Sequence, residues 1–128
     1  MSVPANLLVL ATALVAPVAF AAAPKPDIEN GQEFFTQVCG ICHSATKEPG
    51  GPVLGPNLVG VVGRKAGTLP GFATYTPALK AYGVKWSAKT LDEFLVNPAM
   101  KVPGTLMAMP VPDPQTRADL IAYLATLK

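Results

Sequence analysis

Apolar positions recur with a helical period in several stretches of this chain and with a strand-like period in none, which predicts an all-α fold. The clearest stretch is the last. Asp113 is a good N-cap, Pro114 suits the first helical position, and Leu120, Tyr123, Leu124 and Leu127 then follow at i, i+3, i+4 and i+7. Near the other end, Phe34, Phe35 and Val38 share one face behind the early acid Glu29, predicting a helix over 29–39. Between these, Thr76 to Ala81 predicts a short helix starting at Pro77. Ser87 and Thr90 offer caps, with Thr90 and Glu93 spaced as a capping box, for a helix that runs to about Val96 and stops at Asn97-Pro98. From Ala45 to Thr74 the chain is crowded with Gly and Pro, as in Pro49-Gly50-Gly51-Pro52, Gly55-Pro56 and Pro70-Gly71, and must be mostly loops and turns. So long an irregular stretch is uncommon in a small domain unless it wraps around something, and a large buried cofactor would supply that core.

One apolar run has a different meaning. Residues Val3 to Ala23 carry no charge, and Leu7 to Val18 ends in small residues around Ala19-Phe20-Ala21, which reads as an export signal over residues 1–22 cleaved near Ala21 or Ala22. No Lys or Arg precedes the run. The alternative is a retained membrane anchor, since about 20 apolar residues span a bilayer, although Pro4 and Pro17 count against a regular span. Residues 23–28 then read as a loosely laid linker, and 29–128 as the single domain that the length allows. An exported protein of this kind is expected in the periplasm.

Composition narrows the partners. All ten Lys and Arg and all eight acidic residues lie from Pro24 onward, so the net charge of +2 belongs to the folded part. Charge so near zero argues against a nucleic-acid partner.

The chemistry is concentrated in Cys39-Gly40-Ile41-Cys42-His43, a C-x-x-C-H sequence of the c-type haem attachment kind. Each thiol adds to one haem vinyl group, so the two sulfurs must reach neighbouring points on one edge of a rigid ring. The adjacent imidazole then lies beneath the iron. A redox disulfide of C-x-x-C type would expect a β-α-β frame, and no strand pattern accompanies this one. A zinc site would lack its fourth nitrogen or sulfur ligand. His43 is the sole histidine, so a sixth iron ligand from this chain must be Met, Lys or nothing. Met100, Met107 and Met109 are the candidates left once Met1 departs with the signal. They lie in a Pro-bracketed segment expected to be extended, with Met100 assigned to core filling.

At these residues the chain resembles the class I c-type cytochromes, the mitochondrial type in particular. The likeness extends from about Gly31 to the end. It includes Gly55-Pro56-Asn57-Leu58-x-Gly60, Gly63-Arg64-Lys65, Pro103-Gly104-Thr105-Leu106-Met107 and Asp119-Leu120-Ile121-Ala122-Tyr123-Leu124. The resemblance implies the cytochrome c fold, three to five helices wrapped around one covalent haem c, with N- and C-terminal helices crossed where Gly31 and Phe35 meet Leu120 and Tyr123. It implies Met107 as the axial ligand opposite His43, with Met109 as runner-up. It further implies a Pro56 carbonyl that accepts from His43, and Arg64, Tyr75 and Trp86 on the haem propionates. The function it implies is one-electron transfer between periplasmic or membrane redox proteins, by a monomer with no small-molecule substrate. A five-coordinate haem enzyme or gas sensor, and a cytochrome subunit of a larger oxidoreductase, are the rival readings.

Two departures from that family stand out. Phe94 occupies a position where Tyr is common. Val38, Ala99, Met100 and Leu106 stand where the family often has Lys, leaving Lys101 nearby. The expected partner surface is therefore apolar, formed by Val38, Ile41, Leu106, Met109 and Val111.

Overall fold

The computed structural model describes residue 1 and residues 22–48 and 54–128. Most of the expected signal segment and the Pro49-Pro52 turn lie outside the described residues. Among the described residues five helices make up the regular structure: α1 (Ile28–Gln37), α2 (Pro77–Tyr82), α3 (Ala88–Val96), α4 (Pro98–Lys101) and α5 (Pro114–Thr126). A 3-10 turn, Cys39–Ile41, follows α1. Among the described residues the only β pairing is a single antiparallel bridge between Lys65 and Lys85, so the all-α expectation holds.

The helix ends follow local chemistry. Asp27, read from the sequence as linker, caps α1, its carboxylate accepting from the N–H groups of Glu29 and Asn30. Its own N–H donates to the Asp119 carboxylate at 2.8 Å, and the Lys25 carbonyl accepts from Gln115 Nε2 at 2.7 Å. The segment before α1 is thus pinned onto α5 at two points. Helix α1 ends before Cys39, because Val38 at φ −116° leaves the helical path and the chain tightens into the 3-10 turn. Helices α2 and α5 start as expected, on Thr76-Pro77 and Asp113-Pro114.

Two expectations are corrected in α3 and α4. The capping box belongs to Ser87 and Thr90, because the Thr90 hydroxyl accepts from the Ser87 N–H at 2.8 Å and so acts from the N3 position. Glu93 is left to pair with Lys89 and Lys101. Pro98 does end α3, but it also opens α4, whose first turn is capped by the Asn97 side chain accepting from Met100 N–H. Met100 consequently sits on a helix at 78% exposure, neither extended nor filling the core.

Helices α1 and α5 cross at Gly31, where a Cβ would drive into the Asp119 carbonyl, while Phe35 meets Tyr123 with ring centroids 5.5 Å apart. Only glycine permits backbones so close. Around this crossing the core gathers Leu91, Phe94 and Leu95 of α3, Leu120, Ile121 and Leu124 of α5, and Trp86. The Gly-rich loop is tied to the segment before α3 by Gly63 N–H to Trp86 O, Trp86 N–H to Arg64 O and Ala66 N–H to Val84 O, at 2.7 to 2.9 Å. It is tied to the end of the chain by Gly60 N–H to Leu127 O at 2.8 Å.

Candidate haem site

The 3-10 turn presents both thiols and the imidazole from one short loop. Cys42 and His43 each donate their N–H to the Cys39 carbonyl, at 3.1 and 2.9 Å, which coils the motif around a single acceptor. The sulfurs of Cys39 and Cys42 are unbridged. Burial, with a smaller push from Cys42, raises the Cys39 thiol to about 11.

A second strip of chain, 54–60, runs against this loop. Gly55 N–H donates to Cys42 O and Leu58 N–H to Ser44 O, both at 2.8 Å, so the strip is fixed by backbone bonds on either side of His43. His43 Nδ1 lies 2.7 Å from the Pro56 carbonyl. A carbonyl only accepts, so Nδ1 carries the proton and Nε2 keeps its lone pair. Burial holds the imidazole below its ordinary pKa, opposed by the Pro56 bond and helped by the positive charge of Arg64. The ring is therefore neutral at neutral pH, the state in which imidazole binds a metal. Gly55 makes the cradle. A Cβ there would fall 2.5 Å from Cε1 and 2.9 Å from Nε2 of His43.

Arg64 closes the strip from the far side, donating from Nη2 to Asn57 O at 2.8 Å and from Nη1 to Val59 O at 3.2 Å. Burial pulls its pKa down and nearby Tyr75 opposes this. Tyr75 packs edge-on against Phe72, centroids 4.8 Å apart. Trp86 is buried at 8% exposure between Phe94 (5.1 Å) and Tyr82 (5.9 Å). Among the described residues its Nε1–H has no protein acceptor, yet no buried side-chain N or O there lacks a partner, so that N–H borders accessible space. Met107 is half-buried and packs on the core, while its neighbours Leu106 and Ala108 are exposed and Met109 is 53% exposed. These residues come from five separate stretches of chain.

Residues 28–128 match the family profile described as Cytochrome c. The chain belongs to the cytochrome c family. It is 43% identical over 106 residues to a cytochrome c of Sesamum indicum, covering 82% of this chain and 94% of that one. It is 46% identical over 106 residues to a cytochrome c of Chlamydomonas reinhardtii, covering 82% and 93%. A cytochrome c2 of Rhodopila globiformis is 44% identical over 107 residues, covering 83% and 98%.

The cytochrome c family carries a covalent haem c and works as an electron carrier, and the donor set here suits that group: two unbridged thiols three residues apart and a neutral imidazole whose Nδ1 is already engaged. Sequence reading missed two contributors. Gly55 was named in the family loop motif, but its meeting with His43 was not foreseen, because it spans twelve residues of chain. Asn57 bonds the strip on three sides, with Nδ2 to Thr46 O, Oδ1 from Val59 N–H and O from Arg64, each at 2.8 Å. One expected surface residue is corrected: Val111 is 4% exposed and belongs to the core, because its side chain pegs the segment after Met109 against α3 and α5. A shallow groove of about 300 Å³ lies there instead, lined by Phe34, Val38, Met109 and Pro110 to Pro112, with Asp113 and Thr116 at its polar side.

Proposed function

We propose that this chain is an exported one-electron carrier in which Cys39 and Cys42 hold haem c, His43 and Met107 ligate the iron, and electrons pass to and from redox proteins of the periplasm or its membrane. The observation that carries the reading is the His43 imidazole, proton fixed on Nδ1 by Pro56 and Nε2 lone pair kept clear by the absence of a Cβ on Gly55, one residue from a thiol. When bound, the haem supplies an iron centre that cycles between Fe(III) and Fe(II). The chain's own residues do the rest. The two thiols tether the group, Pro56 holds the imidazole in one orientation, and the Arg64-to-Asn57 and Arg64-to-Val59 bonds keep the strip rigid. Fixed ligands suit electron transfer, because a frame that does not move between redox states keeps reorganisation small.

Met107 is favoured over Met109 because it is turned to the core while Met109 is half in solvent. A thioether opposite imidazole favours the reduced iron and raises the potential. Arg64, Tyr75 and Trp86 are proposed to hold the haem propionates, offering a cation, a phenol and an N–H, the donors that such groups require. The partner face is taken to be apolar: Ile41, Leu106 and Met109 are all more than half exposed, and Met109 lines the groove. Export is supported by the uncharged stretch 3–23, which lies before the family match begins at residue 28. A mature protein beginning near Ala22 is expected, and an intact Met1 would favour the anchor.

An absorption spectrum of the purified protein, oxidised and reduced, tests the reading. Sharp bands that appear on reduction, together with the weak red band of a ferric iron–thioether bond that Met107→Ala removes and Met109→Ala keeps, are expected. A high-spin spectrum without that band would favour a five-coordinate enzyme or sensor.

A further inference from the structure

The segment around Met107 is an arch between two buried pegs, Val102 and Val111, each 4% exposed. Its first half is held by Thr105 N–H to Val102 O at 3.0 Å and Met107 N–H to Thr105 Oγ1 at 3.3 Å. From Ala108 to Pro110 it makes no backbone hydrogen bond among the described residues, and all three positions are exposed. What fixes the second half is Val111-Pro112. Proline has no N–H, so this dipeptide owns one donor and two acceptors, and all three are engaged. Val111 N–H donates to Leu95 O of α3 at 2.7 Å, while Val111 O and Pro112 O accept from one nitrogen, Nη1 of Arg117, at 3.0 and 2.8 Å.

Arg117 is 8% exposed on α5, and its Nε donates to Asp92 of α3 at 2.7 Å. One guanidinium thus fastens the arch, α3 and α5 together. Its planar fork matters, because a lysine ammonium could not hold this set in one fixed geometry.

We propose that Arg117 is a positioning residue for the iron ligand: by clamping Val111 and Pro112 it sets how often the arch opens and Met107 leaves the iron. The proposal rests on Met107 as ligand. Without the guanidinium, two carbonyls beside a buried valine lose their partner, and the Leu95 bond is the one hydrogen bond left to hold Val111-Pro112 beside the packing of Val111. Opening then becomes more frequent while the Gly31 crossing of α1 and α5, which does not involve the clamp, persists.

The test uses the haem-loaded ferric protein and follows added cyanide as it replaces the thioether, a rate that reports arch opening, beside helical circular dichroism during thermal unfolding. Arg117→Met is expected to speed cyanide entry roughly tenfold or more at unchanged helical signal. Asp92→Asn removes only the partner that aims the guanidinium. It should shift the rate the same way by less, and it serves where Arg117→Met fails to fold, since Asp92 is 48% exposed. Unchanged cyanide rates in the folded variants, or rates that rise only as helical signal is lost, would overturn the proposal. A wild-type protein that lacks the thioether band would instead overturn the ligand reading beneath it, so the two failures are distinct.

Discussion

Gly31 of α1 rests directly on the backbone of Asp119 in α5, closer than any side-chain-bearing residue could come. Gly31→Ala should therefore destabilise the protein although alanine is the better helix former by about 1 kcal/mol. The atom in the way is a helical carbonyl, which cannot swing aside as a side chain would. A net loss of about 2 kcal/mol is expected, seen as a melting temperature lower by roughly 10 °C. An unchanged or raised value would mean the helices do not cross here.

Gly55 should be as sensitive for a different reason. Its φ lies outside the left-handed region, so an alanine is not strained by backbone conformation; the obstacle is the His43 ring 2.5 Å away. Gly55→Ala is expected to displace the imidazole, lowering the yield of haem-loaded protein on the order of tenfold and shifting its midpoint potential. Wild-type yield and potential would refute the cradle.

Glu93 joins α3 to α4 by pairing with Lys101 at 2.7 Å, and pairs within α3 with Lys89 at 2.9 Å. The two ammonium groups, Lys101 first, bring its carboxyl from 4.5 down to about 2. A depressed acid adds stability above its ordinary value and loses it as pH falls through the lowered one. The melting temperature of wild type should thus exceed that of Glu93→Gln at pH 7, the gap closing between pH 4.5 and about 2. Because the pair lies at the surface, with the Glu93 side chain partly open to solvent, the gap should also be small and shrink with added salt. A gap independent of pH would contradict the pairing.

The apolar face carries a kinetic prediction. Residues 102–112 hold no charge, and the charges bounding them are engaged, Lys101 with Glu93 and Asp113 with the N–H and hydroxyl of Thr116. Electron transfer with the natural partner should therefore change little between low and moderate ionic strength. A fall of orders of magnitude would show charge-guided docking.

What the sequence revealed was what is written locally. Helix α5 was legible because its cap, its proline and its apolar stripe are consecutive, and the haem motif because five adjacent residues define it. The bond from His43 to Pro56 spans thirteen residues and came only through family resemblance. Arg117 went unremarked in the sequence, since its partners are an acid twenty-five residues away and two carbonyls that carry no residue-type signal. Asp27 was hidden similarly. It caps α1 in plain view, but its docking onto Asp119 depends on the crossing of two helices ninety residues apart in the chain.

In the proposed function, haem is joined covalently to Cys39 and Cys42 and ligated by His43. The most direct test is to denature the purified, processed protein in acid and organic solvent and ask where the pigment goes. Haem is expected to stay with the polypeptide in wild type and to be extracted or absent in the Cys39→Ala, Cys42→Ala double variant. Wild-type protein that is folded and colourless, or that surrenders its haem to the solvent, would contradict the account.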